Sequence, residues 1–276
     1  HATNLLWVVF DKIVNIKNIY ATPSLMKKII IIGAGIIGLS ISYYLKKSNF
    51  DVLVIEKDKA GMEASYASAG MLAAQSEFEF YEKFMDFCIK SRDMYPDFCK
   101  DIETASGINV EYQKSGMIRP ALNEEHETHF KQNYEWQKKH GFEIKFLSGD
   151  ELRKIEPKLS KNIISGLYTK NDGQVNNKKL MEALIMANKK NGVKIIENCE
   201  VTDYLIKNTK KSAKQISGVP EIHGISEHNA IGGVKTKNRN FNADIVVNAA
   251  GAWSSLISPK LIPNFEVKPI RGQIVS

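Results

Sequence analysis

Hydrophobic positions fall into blocks of different period along the chain, and each period predicts an element. Lys27 to Ile32 is a continuous β-branched run, the pattern of a strand buried on both faces of a parallel sheet. A glycine turn follows from Gly33 to Gly38. Ile37, Ile41, Tyr44 and Leu45 then recur at helical spacing within Ile36 to Lys47, and polar Lys46-Lys47-Ser48-Asn49 closes the helix. Val52 to Glu56 is a second apolar strand. The three pieces form one βαβ unit of about 30 residues.

The pattern then changes. Ala60 to Gln75 is rich in Ala, Ser and Gly and reads as a loop. Glu77 to Glu103 has helical character with a bend or restart near Pro96. Val110 to Arg119 reads as strands, Glu124 to His140 as a polar helix closed by Gly141, and Ser148 with Asp150 as caps of a short helix ending before Pro157. Ile163 to Thr169 is a strand. Asn176 to Asn191 is an amphipathic helix ending at Gly192. Val193 to Ile206 contains two short strands, and a hairpin-rich stretch runs on to Lys237. Phe241 to Asn248 reads as one strand, and Glu266 to Ser276 as another in which the chain stops.

About 100 residues thus separate the first βαβ unit from the next strand–helix chemistry. The fold class expected is α/β: a Rossmann-like dinucleotide-binding domain interleaved with an α+β domain. Residues 26–75 and 176–258 are assigned to the first, 76–175 and 259–276 to the second, which is incomplete at the carboxyl end. Residues 1–25, with a short apolar patch from Leu5 to Phe10, read as an extension ahead of a natural start at Met26.

Composition narrows the classes. With 43% hydrophobic and 25% charged residues over 276 positions, wholesale disorder is excluded. No apolar run approaches the roughly 20 residues of a membrane span, so no integral membrane segment is expected. Cys88, Cys99 and Cys199 form no C-x-x-C pair, which points to a reducing, cytoplasmic setting. The net charge of +7 suggests nucleic acid, but the lysines are dispersed and usually sit beside acids. The densest group, Lys207 to Lys214, reads as a solvated hairpin loop, and no basic stripe interleaves with aromatics, so no nucleic acid partner is expected. His126 and His129 miss the H-E-x-x-H spacing, so no metal site is assigned. Ser254 and Ser255 follow no nucleophile elbow.

One motif carries chemistry. Gly33-Ala34-Gly35-Ile36-Ile37-Gly38 fits G-x-G-x-x-G, follows a buried strand, opens a helix, and is followed 18 residues after Gly38 by Glu56 at the end of the next strand. In that setting Gly33 makes the tight turn, Gly35 lets backbone approach a pyrophosphate, and Gly38 lets helix and strand pack closely. The helix amino terminus offers free N–H groups and about half a positive charge to phosphates. Glu56 can accept hydrogen bonds from both ribose hydroxyls, which disfavours the 2′-phosphate of NADP. The fingerprint itself is shared by FAD and NAD. The long insertion after the second strand, opened by Ala64 to Leu72, and the small residues Ala249-Ala250-Gly251 closing a late strand favour FAD.

Further residues carry a family likeness. The glycine motif, the loop Ser68-Ala69-Gly70-Met71-Leu72-Ala73-Ala74, the strand Gly116-Met117-Ile118, the run Asp172-Gly173-Gln174-Val175, the segment Asn248-Ala249-Ala250-Gly251-Ala252-Trp253-Ser254, and Val267 to Gln273 together resemble the FAD-dependent amino-acid oxidases of the D-amino acid oxidase superfamily, its glycine oxidases of thiamine biosynthesis above all. The likeness runs from Lys27 to Val275. It implies that Ile36 and Ile37 lie at the pyrophosphate and Glu56 with Lys57 at the adenosine end. It also implies that Ala64, Ser65, Ala69, Gly70 and Met71 run along the flavin, and that Val201 meets the adenine side through its backbone. The reaction implied takes a hydride from Cα of a small amino acid or amine to flavin N5, with molecular oxygen reoxidising the flavin to give peroxide. If the amine binds neutral, no acid–base residue is required.

The same likeness places a carboxylate-binding arginine, a site tyrosine and a glycine-rich loop beyond Ser276, so no catalytic residue is named and the chain as given is expected to bind FAD poorly and to turn over no glycine. A sarcosine oxidase, a D-amino-acid dehydrogenase passing electrons to a quinone, and a non-catalytic dinucleotide-binding remnant are the alternatives. A homo-oligomer is compatible with each.

Overall fold

A computed structural model describes residues 27–208, 229–259 and 266–270. The expected extension 1–25, the start at Met26, most of the Lys207–Lys214 cluster and the end of the chain after Ile270 lie outside the described residues.

The elements follow in chain order. Strand β1 (Lys28–Ile32) leads to helix α1 (Ile36–Lys47) and β2 (Asp51–Ile55). A short helix α2 (Ala64–Ala67) and β3 (Met71–Leu72) come next, then α3 (Lys83–Asp93), α4 (Tyr95–Ser106), β4 (Met117–Ala121), α5 (Glu124–Lys139), β5 (Lys145–Ser148), α6 (Gly149–Ile155), β6 (Ser165–Thr169) and β7 (Gly173–Gln174). The chain continues through α7 (Asn177–Lys190), β8 (Lys194–Ile196), β9 (Val201–Asn208), β10 (Asn229–Thr236), β11 (Asn240–Asn242), β12 (Ile245–Asn248) and a 3-10 helix at Gly251–Leu256.

Four strands make a parallel sheet in the order β12-β1-β2-β8. The isoleucine run of β1 alternates between its two faces. Ile29 and Ile31 pack with Leu39, Tyr43, Phe98, Ile102, Leu180 and Leu184, so α1, α4 and α7 cover one face. Ile30 and Ile32 pack with Val201, Tyr204 and Val234, so the antiparallel sheet β11-β10-β9 covers the other. This is why β1 shows no polar alternation: neither face meets water. Each isoleucine so buried contributes about 1.5–3 kcal/mol relative to exposure.

A second antiparallel sheet, β4-β6-β5, packs against α5 through Ala121, Phe130, Ile144 and Leu167. The two-stranded pair β3-β7 ties the segment after α2 to this region. Ser148 caps α6 with a full capping box to Glu151, and Asn176 and Asn123 cap α7 and α5. Asp150 lies inside α6 and pairs with Arg153 rather than capping it.

Several expected boundaries change. The stretch Ala60–Gln75 holds α2 and β3; elements of four and two residues are too short to imprint a period. The helix expected from Glu77 begins at Lys83, and its restart near Pro96 is the break between α3 and α4. Of Val110–Arg119 only Met117 onward joins a ladder, with an isolated bridge at Gln113. Phe241–Asn248 is two strands: β11 belongs to the antiparallel sheet and β12 to the parallel one. Glu266–Ile270, the described part of the last expected strand, has no strand structure.

Cys88 and Cys99 are buried on α3 and α4, and Cys199 is half-buried. Burial and the neighbouring Glu103 push the Cys99 thiol up to about 12. A thiol reagent applied near the ordinary cysteine value of about 8.5 is therefore expected to modify Cys199 in the native protein and to reach Cys88 and Cys99 only after unfolding. Peptide mapping of the labelled protein checks this; native labelling of Cys99 would overturn it. Among the described residues no helix is long and apolar enough to cross a membrane.

Candidate functional site

The glycine turn sits at the carboxyl end of β1, in the middle of the parallel sheet. The N–H of Gly33 donates to Ile55 O at 2.8 Å, and the N–H of Ala249 donates to Ile32 O at 2.8 Å, so the ends of β2 and β12 flank the turn. Gly33 has φ of +99°, a conformation that side chains disfavour. A Cβ there would also lie 2.5 Å from Ala249 O. Gly38 is needed for a different reason: its Cβ would lie 1.9 Å from Gly33 O. At Gly35 the one atom within 4 Å of a Cβ position is Ser65 Oγ, at 3.3 Å. That face of the turn is a cradle one methyl group would begin to fill.

Gly35 is the N-cap of α1 and provides no side-chain cap. The first amide of the helix, Ile36 N–H, donates to Ser65 Oγ at 3.0 Å. Those that follow it, Ile37 and Gly38, have no intrahelical acceptor by the rule of helix termini. The arrangement suits a diphosphate.

Glu56, directly after β2, is buried and folds back over the turn. Its carboxylate accepts from Ala34 N–H at 2.7 Å and from Asp58 N–H at 3.1 Å. Each oxygen keeps a further lone pair for a ribose hydroxyl. Lys57 extends its ammonium over the Trp253 ring, 3.6 Å from the centroid, and also pairs with Asp58 and Glu63. Lys57 follows β2 and Trp253 follows β12. Since those strands flank β1, the contact spans the carboxyl end of β1.

The segment from Ala64 to Met71 lies beside this turn. Ala64, Ala69 and Met71 are exposed, and Ser65 and Gly70 are half-buried. Val175 N–H donates to Gly70 O at 2.9 Å. Val201 opens β9 and is buried in the core on the far face of the sheet, opposite Thr236 in the β9–β10 ladder. The structure therefore brings Gly33, Gly35, Ile36, Ile37, Gly38, Glu56, Lys57 and Ser65 to one mouth, with Gly70 and Met71 leading away from it toward β7.

Other participants have long-range partners that no local pattern announces. Asp172, fully buried, accepts from the amides of Gln75 at 3.3 Å and Ser76 at 2.9 Å, from the hydroxyls of Ser76 and Thr169, and from Arg92 at 3.0 Å. It thereby fixes the exit of the 64–76 segment. Asn248 donates to Tyr204 Oη at 3.1 Å and Ser254 O at 2.9 Å, and accepts from Ala250 N–H. This holds the small-residue run against Gly33. Burial raises the Tyr204 phenol above its ordinary value. His129 binds Glu79 at 2.8 Å, whereas the backbone N–H of His126 is taken by the Asn123 cap. Among the described residues no cluster of three or more His, Cys, Asp or Glu is arranged for a metal ion.

A parallel sheet whose central strand runs through a glycine cradle into a helix, with a buried acid closing the next strand, defines a dinucleotide-binding α/β protein. Residues 28–276 match the profile of the family described as DAO, FAD dependent oxidoreductase, and the chain belongs to that family. It is 29% identical over 246 residues to the glycine oxidase of Geobacillus kaustophilus, covering 89% of this chain and 60% of that protein. It is 30% identical over 250 residues to the bifunctional protein ThiO/ThiG of a Synechocystis strain, covering 90% of this chain and 32% of that one. The crystal structure of glycine oxidase from Bacillus cereus superposes with a TM-score of 0.71 at 29% identity, over 84% of this chain and 57% of that one. The chain thus spans about 60% of the length of the curated glycine oxidase it matches.

The donor set fits FAD: an open cradle at Gly35, helix amides for the phosphates, and a buried carboxylate for the ribose.

Proposed function

We propose that the protein carrying this chain oxidises glycine or another small amino acid with FAD, and that it serves the thiazole branch of thiamine synthesis. The likeness to glycine oxidases and to ThiO/ThiG supports the substrate class and the pathway. The observation that carries the cofactor reading is the Glu56 carboxylate, buried and tied to Ala34 N–H at the mouth of the glycine turn.

In this reading residues 26–75 and 176–258 form the cofactor domain, and 76–175 with 259–276 belong to the substrate domain. Gly33, Gly35 and Gly38 shape the cradle, and the diphosphate lies at Ile36 and Ile37, where the Ile37 amide is open to it and the Ile36 amide holds the Ser65 hydroxyl beside it. Glu56 and Lys57 hold the adenosine end, with the backbone of Val201 on the adenine side. Ser65 buttresses the cradle, while Ala64, Ala69, Gly70 and Met71 present backbone N–H groups along the flavin. The bound flavin supplies the acceptor for the hydride leaving the substrate Cα, and oxygen is the terminal oxidant. What this chain contributes is orientation and a fixed field of amide dipoles.

The natural polypeptide is expected to take up FAD and to form peroxide when given glycine. Replacing Glu56 by alanine removes a charge-assisted acceptor, and the affinity for FAD is expected to fall about tenfold to a hundredfold. Flavin fluorescence quenching measures this. Full FAD affinity in the Glu56→Ala variant would remove the ribose role, and glycine-independent oxygen uptake would remove the substrate.

A further inference from the structure

The loop that faces the cradle meets α1 through Ser65 Oγ and is tied to the start of α7 through its backbone carbonyls. Helix α2, four residues long, cannot be stable by itself. Its support comes from the first turn of α7. The Asn177 side-chain amide donates one hydrogen to Ser65 O at 3.0 Å and the other to Tyr66 O at 2.7 Å. Next to it, the Lys178 ammonium stands 5.0 Å from the centroid of the Tyr66 ring. Just before it, Val175 N–H holds Gly70 O. Both ends of the 65–70 segment are therefore anchored to the short stretch Val175–Lys178 at the start of α7.

Ser65 is the link to the cradle, because its backbone O is held by Asn177 while its Oγ receives Ile36 N–H. A shift of the Ser65 backbone would move its hydroxyl off the α1 amino terminus. We propose that Asn177 is a positioning residue for the cofactor: through Ser65 and Tyr66 it sets the hydroxyl at the phosphate cradle and the course of the backbone toward Gly70. This rests on the FAD reading above. Asparagine suits the place because it alone among short side chains carries two N–H donors on one nitrogen, matching two adjacent carbonyls. It spends both on the loop, and the neighbouring Asn176 performs the capping of α7.

Two variants of the natural polypeptide test it. Asn177→Ala removes both hydrogen bonds at a helix position alanine tolerates. Asn177→Asp favours the first turn of α7 through the helix dipole but sets a carboxylate against two carbonyls. Three measurements are made: FAD affinity by fluorescence quenching, backbone hydrogen exchange over residues 64–71, and the urea midpoint. Asn177→Ala is expected to bind FAD about tenfold more weakly and to exchange the 64–71 amides about tenfold faster, with β1 exchange and the urea midpoint little changed. Asn177→Asp is expected to lose more affinity than Asn177→Ala despite its better helix start. Unmutated protein that takes up no FAD overturns the cofactor reading and this role with it. Unmutated protein that takes up FAD, matched by both variants in affinity and exchange, overturns the role of Asn177 alone.

Discussion

Gly38→Ala is expected to destabilise the fold strongly. The new Cβ would sit 1.9 Å from Gly33 O and 3.1 Å from Gly33 C. Both are backbone atoms, held in place because Gly33 N–H is bonded to Ile55 O and the strand behind it is buried on both faces. Neither a rotamer change nor a side-chain shift relieves the overlap, so α1 must move off β1. Overpacking ordinarily costs about 1–3 kcal/mol, and a collision with fixed backbone belongs at or above the top of that range. Thermal or urea unfolding reads it directly, and an unchanged midpoint would contradict the packing described. Gly35→Ala provides the contrast. Its Cβ meets only the end of a side chain, Ser65 Oγ at 3.3 Å, which can turn away by releasing Ile36 N–H, a far smaller change than moving backbone. The fold is expected to survive while FAD affinity falls, because the methyl group enters the cradle. Opposite effects of one added carbon, three residues apart, separate packing from ligand approach.

The second large effect is expected at Asp172. Truncating it to alanine leaves the Arg92 guanidinium, with its side chain 8% exposed, without its buried partner, although its bond to exposed Asp93 remains. It also strips acceptors from the amides of Gln75 and Ser76 and from Thr169 Oγ1. Breaking one side of a buried pair costs about 3–5 kcal/mol. Replacing both partners with apolar residues, as in Arg92→Met with Asp172→Leu, is expected to recover part of the loss, since the uncompensated charge goes with it. A urea series on Arg92→Met, Asp172→Leu and the double variant measures the coupling. Equal stability of Asp172→Ala and the unmutated protein would show that the buried network contributes nothing.

These two positions also show what was legible in the sequence. Gly38 could be read because everything it touches is local: the turn, the strand before it and the helix after it lie within the twenty residues Lys28–Lys47, and strand burial, glycine spacing and the acid at Glu56 agree. The parallel sheet and the FAD family could be reached from that agreement together with the resemblance of the later segments. The role of Asp172 could not, because apart from Thr169 its partners lie 80 and 96–97 positions away, at Arg92, Gln75 and Ser76. Asn177, 112 positions from Ser65, is hidden for the same reason. The switch of sheets between β11 and β12 escaped because both sheets bury apolar side chains, so Phe241, Ala243, Ile245, Val246 and Val247 read as one strand despite Asn242 and Asp244. The change happens at Asp244, whose N–H donates to Lys28 O and whose carboxylate receives Lys28 N–H. A reciprocal link of that kind has no one-dimensional trace.

The strand order has a consequence for biosynthesis. β1 can pair with β2 almost as soon as both leave the ribosome, but its other edge belongs to β12, and Lys28 and Asp244 are 216 positions apart. For the whole of that interval a row of isoleucines offers an unpaired backbone edge, the template on which chains add to one another. Nascent chains stalled before residue 245 should therefore depend on holdase chaperones far more than chains that have passed it.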